Sequence, residues 1–172
     1  MVKSSPEAWK PTGCPVSSAA MNYYVLKSIE FGPTVLERIL KQLPEEKFDE
    51  RPDPDRFTLR EAVAHLADWE PIWCMRMEKI LAQPGVFIQG VDEGDLAIKN
   101  DYAHQDVWAS LGRYKAGRAK TTTLIHSLKP EDWSKKCERE GYGEMVLEDW
   151  ANLIVCHDMY HLEHASAYLA KG

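Results

Sequence analysis

The chain has 172 residues, of which 44% are hydrophobic and 28% charged, and its formal net charge at pH 7 is −6. This length suits one domain with a sizeable core, and the acidic balance makes nucleic acid and anionic membranes poor partners. No apolar run approaches the roughly 20 residues of a membrane-spanning helix. The four cysteines form no CxxC pair and no signal peptide is recognisable, so we expect free thiols and a cytoplasmic protein.

The N-terminal part of the sequence predicts an arm and then a helix. Residues 1–20 are rich in Pro, Gly and Ser, and we expect a flexible arm that precedes one domain at residues 21–172. Order should begin near Tyr23. The strongest helical spacing of apolar residues follows Pro33 and ends at Pro44.

The second helix is predicted from its start signal. Thr58 and Glu61 have the spacing of a capping box, and the apolar pattern continues to about Leu81. Residues 84–103 contain three glycines and several acids, which predicts a long loop with room for one short turn. A loop of this length is often functional, for example as a lid.

Two further helices complete the pattern. Seam residues spaced alternately 4 and 3 apart predict a third helix over residues 105–128 and a fourth over residues 146–170. The connection at residues 129–145 contains Gly141 and Gly143, which suit a turn or a short hairpin. Four long helices without a convincing strand predict an all-α four-helix bundle, although the long connections leave its topology open.

Three histidines of the fourth helix, His157, His161 and His164, lie on the face that its seam residues bury. Buried imidazoles cost free energy unless each has a partner, and one metal ion satisfies several at once. Because side chains at i and i+4 lie one above the other, His157 and His161 can converge on one ion. The glutamate of an HExxH motif is missing, which argues against a metalloprotease of that type.

A third ligand must come from another helix, and His65, which lies among apolar residues of the second helix, is the natural donor. Three histidines leave a position for water or substrate, which is typical of a catalytic metal. The alternative is that the same histidines are hydrogen-bonded core residues, since six histidines in 172 residues can produce this spacing by chance.

Other residues near these positions allow two interpretations each. Asp68 would either orient an imidazole or be a solvated helix acid. Arg118, on the seam of the third helix, would either bind the carboxylate of a substrate or thiol cofactor or pair with a helix acid, and we prefer the second interpretation. Trp69 and Trp150 are expected to wall the metal pocket, and Cys156 is expected to be a core thiol.

Two stretches carry a resemblance to a known family. The run from Phe57 to Glu70 and the sequence His157-Asp-Met-Tyr-His161-Leu-Glu-His164 together resemble the DinB/YfiT-like family of four-helix-bundle metalloproteins. The resemblance implies an up-down-down-up four-helix bundle that covers most of the ordered chain.

The resemblance also implies a site. One divalent metal ion, typically nickel or zinc, would be bound by His65, His157 and His161. Three residues beyond the second ligand of the last helix the family often has Gln, whereas this chain has His164. That histidine would be a fourth ligand, a hydrogen-bond donor behind the ligands, or a proton shuttle.

These similarities imply a metal-dependent enzyme that acts on an unknown small molecule. It would be either a hydrolase, in which a metal-bound water attacks, or an S-transferase that uses a low-molecular-weight thiol as a second cofactor. His164 and Arg118 are the candidate helpers, and a homodimer is expected because dimers are common in the family. The alternative, which a filled coordination sphere would favour, is a non-catalytic bundle that binds metal or small molecules or mediates dimerisation.

Overall fold

A computed structural model describes residues 21–169, and the predicted arm at residues 1–20 lies outside this range. The described residues contain five α-helices and a small three-stranded sheet. The helices are α1 (Tyr23–Leu40), α2 (Leu59–Ala82), the short α3 (Glu93–Lys99), α4 (Val107–Ser127) and α5 (Leu147–Ala167). The strands are β1 (Phe87–Ile88), β2 (Lys136–Arg139) and β3 (Gly143–Val146).

The first helix starts ten residues before the proline that the sequence pattern emphasised. Asn22 caps it, because its side chain accepts a hydrogen bond from the backbone N–H of Tyr24. Pro33 lies inside α1, where its missing N–H leaves the carbonyl of Ile29 without a helical partner. Arg118 of α4 donates to that carbonyl at 2.6 Å, so the free acceptor becomes a contact between helices.

The second helix begins as its sequence predicts. The hydroxyl of Thr58 accepts from the N–H of Glu61 at 3.2 Å, and the Glu61 carboxylate accepts from the N–H of Thr58 at 2.7 Å. This reciprocal capping box satisfies two backbone donors that the helix itself cannot pair. It fixes the start of α2 at Leu59, six residues before His65.

The connections hold more regular structure than the sequence predicts. The hairpin around Gly141 and Gly143 is present, since β2 and β3 pair antiparallel and both glycines have positive φ. The loop predicted at residues 84–103 contains β1, which pairs parallel with β2, and the helix α3. Two-residue strands carry no alternation of polar and apolar residues, so β1 was not predictable from periodicity.

Two apolar clusters establish the direction of each long helix. One cluster joins the C-terminal ends of α1 and α5 to the N-terminal halves of α2 and α4. Its members include Leu40, Leu59, Val107 and Tyr168. The other joins the N-terminal halves of α1 and α5 to the C-terminal ends of α2 and α4. Its members include Ile29, Ile80, Ile125 and Leu147. Helices α1 and α5 therefore run one way and α2 and α4 the other, which confirms the up-down-down-up four-helix bundle.

The length and hydropathy of the helices bear on whether any of them could span a membrane. Within residues 21–169, no helix combines the length and the apolar character needed to cross a bilayer.

Candidate metal centre

The structure brings together three histidines from two helices, which we call the three-histidine cluster: His65 of α2 and His157 and His161 of α5. One ring nitrogen of each lies within 4.8 Å of a ring nitrogen of both others. The Nε2 atoms of His65 and His157 are 2.9 Å apart. His157 and His161 project from successive turns of α5, and α5 packs beside α2, so the i, i+4 spacing produces the predicted convergence.

The three-histidine cluster is electrostatically suited to a cation. Burial lowers the pKa of His65 to about 3, that of His157 to about 4 and that of His161 to about 2. All three imidazoles are therefore neutral near pH 7, and each has a lone pair available on one ring nitrogen. Neutral imidazole is a ligand that suits zinc, nickel, copper and iron.

The hydrogen bonding of the three-histidine cluster points the same way. The Nδ1 atoms of all three residues are buried and have no hydrogen-bond partner within residues 21–169. Each neutral ring carries one N–H and one lone pair, and the Nε2 atoms of His65 and His157 already lie within hydrogen-bond distance of each other. A cluster without a cation therefore leaves buried ring nitrogens unsatisfied, which costs free energy. A divalent ion at the point where the nitrogens converge would accept the lone pair of one nitrogen of each ring and leave the other nitrogen as N–H. The donor set of three neutral, converging imidazoles therefore fits such an ion.

A cavity of about 580 Å³ opens onto His157 and His161. Its walls are mainly aromatic and apolar, and they include Phe57, Trp69, Trp73, Tyr142, Leu153 and Tyr160. The volume falls within the range of small-molecule sites, which are concave and mostly apolar with a few polar groups. The cluster therefore lies where a bound small molecule can reach it.

His164 lies one turn beyond His161 on α5, but the structure does not bring it into the converging group. It is buried and lines the same cavity, and its Nε2 atom has no hydrogen-bond partner among the described residues. Burial lowers the pKa of His164, so its ring is neutral near pH 7. Of the three roles that the sequence left open, this position favours a proton-transfer or hydrogen-bonding role over that of a fourth ligand.

Arg118 is buried in an ion-pair network at the centre of the bundle. Its guanidinium donates to Glu70 of α2 at 2.6 and 2.9 Å and to Asp158 of α5 at 2.6 and 2.9 Å. Burial alone would lower the pKa of Arg118, but hydrogen bonds and charge from Asp158 outweigh burial and raise it above the ordinary value. The guanidinium is fully engaged, so pairing with helix acids is the interpretation that the structure supports.

This network holds the helix that carries two of the three clustered histidines. Asp158 follows His157 directly, and Glu70 also accepts a hydrogen bond from Thr121 at 2.8 Å. Burial raises the pKa of Glu70, whereas Arg118 and Thr121 act in the opposite direction. Ion pairs from Arg118 to α2 and α5 and its hydrogen bond to α1 thus fix four helices relative to one another.

Two predicted pocket residues lie elsewhere. Asp68 accepts hydrogen bonds from Asn100 at 2.6 Å and from Arg113 at 2.7 Å, so it anchors the connection after α3 and does not orient a histidine. Trp150 is buried behind Trp73, with ring centroids 6.1 Å apart, and does not line the cavity.

Two neighbouring residues do line the cavity. Trp69 stands at its wall as expected, and its ring centroid lies 5.5 Å from that of His157. Cys156 is exposed and lines the cavity, which corrects the expectation of a core thiol. It lies about 100° around the helix from His157, and on α5 that direction faces the cavity mouth.

Several cavity residues come from the connections and were missed in the sequence. They are Arg51, Asp55, Arg56, Glu93, Arg139 and Tyr142. The hairpin signal at Gly141 was the one sequence feature that marked part of this wall, and it gave no indication of which surface the hairpin faces. The remaining positions depend on how loops pack on the bundle, which residue spacing does not encode.

Comparisons with known proteins agree with this geometry. A family model described as the DinB superfamily matches residues 28–165. A protein of Oceanobacillus iheyensis named "Putative metal-dependent hydrolase OB0782" is 22% identical over 142 residues, which are 83% of this chain and 82% of that protein.

A solved structure shares the fold. YfiT from Bacillus subtilis, described as a probable metal-dependent hydrolase with an unusual four-helix bundle topology, matches with a TM-score of 0.79 and 20% sequence identity. The match covers 93% of this chain and 91% of that one. The family model, the fold and the three-histidine cluster together lead to one assignment: this chain belongs to the DinB superfamily.

Proposed function

We propose that this chain is a divalent-metal-dependent hydrolase of a small molecule that binds in the cavity beside the three-histidine cluster. The observation that carries the proposal is the convergence of three neutral imidazoles next to an open cavity with aromatic and charged residues in its walls. The names of two relatives, a "putative metal-dependent hydrolase" of Oceanobacillus iheyensis and a "probable metal-dependent hydrolase" of Bacillus subtilis, support the same reaction class and state no substrate.

The chain's own residues divide the work as follows. His65, His157 and His161 would hold the cation, which supplies a Lewis acid that makes a water molecule nucleophilic near neutral pH. His164 lines the same cavity with a neutral ring, so it would be the side chain to accept a proton from an attacking water or to return one to the leaving group. The aromatic walls would exclude bulk solvent and position the substrate.

The position of His164 also bears on the non-catalytic alternative. A metal-binding or dimerisation bundle would be favoured by four converging ligands, whereas the converging group in residues 21–169 contains three. A free coordination position beside a cavity is the arrangement of catalytic metal sites.

The first experiment measures metal content. Full-length protein purified without a metal-affinity tag is expected to contain about one divalent ion per chain, and His161→Ala is expected to lose it while circular dichroism stays helical. His126→Ala is the matched control, because His126 is exposed, bonds Glu30 and lies outside the cluster. A metal content near zero in the wild-type protein, or an unchanged content in His161→Ala, would contradict the proposal.

The second experiment measures turnover. The metal-loaded protein is screened on ester, amide and phosphoester substrates, and hydrolysis should disappear after chelation and return when the metal is restored. His164→Gln keeps a polar group of similar size but removes the titratable ring, and we expect about 10²- to 10⁴-fold slower turnover with the metal retained. Turnover that survives complete removal of the metal would contradict the assignment.

One observation favours a second candidate, an S-transferase that uses a low-molecular-weight thiol. Such an enzyme needs a cationic cleft if its thiol cofactor is acidic, and Arg51, Arg56 and Arg139 all line the cavity. The same screen distinguishes the two candidates, because a transferase turns over only when the thiol is present and a hydrolase proceeds with water alone.

A further inference from the structure

Three arginines line the cavity, and they differ in how their charge is neutralised. Arg51 pairs with Glu61 at 2.7 Å, and Arg56 pairs with Glu163 at 2.9 Å. The side chain of Arg139, on β2, has no ion pair and no hydrogen-bond partner within residues 21–169. Of the cavity arginines, Arg139 is therefore the one whose charge remains available.

The guanidinium of Arg139 is held in place by aromatic rings. Its Cζ atom lies 3.8 Å from the ring centroid of Tyr142 and 5.2 Å from that of Trp150. Its Nε and Nη1 atoms are buried and unpartnered among the described residues. Stacking of this kind holds a cation over ring faces and leaves the N–H groups at its edge without acceptors.

A second unneutralised arginine lies next to Arg139. Arg76 of α2 is 2% exposed, and its Cζ atom lies 5.4 Å from the ring centroid of Trp150. It donates to the carbonyl of Gln89 at 2.9 Å, while its Nη1 atom is buried without a partner in the described range. Burial and then the charge of Arg139 lower the pKa of Arg76 to about 10, so both side chains are still cationic near pH 7.

Two neighbouring cations without a counter-charge are costly in a protein. Like charges at close range repel, and each buried charged donor without an acceptor costs more than a neutral one. Structural arginines in this same bundle are paired, as Arg118 is with Glu70 and Asp158. Within residues 21–169 the pair at Arg139 and Arg76 lacks such a carboxylate, and Arg139 lies on the wall of the cavity that opens onto His157 and His161.

We propose that Arg139, backed by Arg76, binds a carboxylate or phosphate group of a small molecule whose remaining part fills the aromatic cavity and reaches the three-histidine cluster. The substrate class is thus an anionic small molecule with an apolar or aromatic body. This inference rests on the proposed function for the identification of the cavity as the substrate site. A planar guanidinium can donate two parallel hydrogen bonds to either oxyanion, which gives orientation as well as affinity.

Glu93 is the acid that competes with this role. It lines the same cavity, and burial raises its pKa while the charge of Arg139 lowers it. No ion pair forms between Glu93 and Arg139 in the structure. Glu93 therefore does not neutralise the guanidinium of Arg139, whose charge stays available to an anion bound in the cavity.

Calorimetric titration of the full-length protein with 3-phenylpropanoate tests the proposal. The neutral amide of the same acid and inorganic phosphate are titrated in parallel. Every protein sample is measured as purified and again after chelation, and its metal content is determined each time. Arg139→Gln removes the charge and Arg139→Lys keeps the charge without the planar fork. Arg38→Gln is the matched control, because Arg38 is exposed on α1 and distant from the cavity lining.

We expect 3-phenylpropanoate to bind the wild-type protein before and after chelation, and the amide to bind about 10- to 100-fold more weakly. Arg139→Gln should weaken the acid by a similar factor, Arg139→Lys by less, and Arg38→Gln by less than twofold. Phosphate that also binds through Arg139 more tightly than the carboxylate would assign the anion to the phosphate class.

Four results would overturn the proposal. The first is that neither anion binds the wild-type protein. The second is that acid and amide bind equally, a comparison that stays decisive even if Arg139→Gln fails to fold. The third is that a folded Arg139→Gln binds the acid as the wild type does. The fourth is that binding of the acid disappears on chelation, which would place the anion on the metal. Arg139→Gln should keep its metal, so a protein that binds metal but not anions refutes only this inference.

Discussion

Replacing Arg118 with methionine tests the energetic centre of the bundle. The change removes the one cation that faces Glu70 and Asp158, whose side chains are 1% and 5% exposed. Breaking a buried ion pair from one side typically costs about 3–5 kcal/mol, because the remaining charge stays buried without compensation. The carbonyl of Ile29, which Pro33 leaves free inside α1, also loses its donor.

We therefore expect Arg118→Met to lower the free energy of unfolding by about 3–5 kcal/mol at pH 7, a large part of the 5–15 kcal/mol typical of a domain. The loss should be smaller at pH 5.5, since burial already raises the pKa of Glu70 and a proton can then replace the missing cation. Urea denaturation followed by circular dichroism of the metal-free protein measures both values.

The matched control is Arg113→Met, which removes an ion pair with Asp68 whose arginine side chain is 47% exposed. Arg113 also donates to Gln105 and Ser110, while Asp68 keeps its hydrogen bond from Asn100. A partly exposed pair of this kind contributes about 1 kcal/mol, so this variant should lose clearly less stability than Arg118→Met. If Arg118→Met is too unstable to purify, Arg118→Lys keeps the charge without the fork and should lose less. A loss from Arg118→Met no larger than that from Arg113→Met would refute the reasoning, because it would mean that the central charges are not buried as described.

Three further predictions follow from contacts in α4 and from the three-histidine cluster. A Cβ at Gly117 would lie 2.5 Å from the Cβ of Glu70, so Gly117→Ala should destabilise the protein by about 1–3 kcal/mol. A Cβ at Gly112 in the same helix meets open space, so Gly112→Ala should be neutral or stabilise the protein by up to about 1 kcal/mol. Urea denaturation measures both changes. In the metal-free protein the pKa values of the cluster histidines are lowered below the ordinary 6.5, so the unfolded state binds more protons than the folded state as the pH falls through 6.5. The contribution of these histidines to the free energy of unfolding is therefore complete above pH 7.5 and should fall by about 2 kcal/mol per histidine by pH 5. Denaturation measured at a series of pH values would show this loss. Chelation of the metal-loaded protein should lower Tm at pH 7.5, and added metal should restore it in the wild type but not in His161→Ala, as differential scanning calorimetry would show.

The parts of the fold that repeat along the chain were predictable from sequence. Heptad-like spacing indicated the four long helices, and the capping box at Thr58 and Glu61 fixed the start of α2. The part of α1 before Pro33 was underestimated because a proline ordinarily interrupts helices, although Val25, Leu26 and Ile29 have helical spacing and pack in the bundle core. The proline is tolerated since Arg118, distant in sequence, supplies a donor to the freed carbonyl.

The site residues likewise differ in whether local helix geometry or tertiary packing determines their contacts. Convergence of His157 and His161 follows from local helix geometry, and His65 followed from its position on an apolar face together with the family resemblance. Asp68 was misplaced because helical spacing says that i and i+3 are neighbours but does not say which other residues compete for a carboxylate. In the structure Arg113 and Asn100 donate hydrogen bonds to the carboxylate of Asp68.

The opposite wall of the cavity shows why substrate recognition was out of reach of the sequence. Arg139 stands out because its side chain has no hydrogen-bond or ion-pair partner within the part of the chain that the structure describes, and a missing partner is a property of the packed molecule that no spacing rule expresses. Arg118 and Arg139 are the same residue type, yet one is enclosed by two carboxylates and the other by two aromatic rings. The ion pairs of Arg118 neutralise its charge and hold helices together, whereas the aromatic contacts of Arg139 leave its charge available to an anionic ligand.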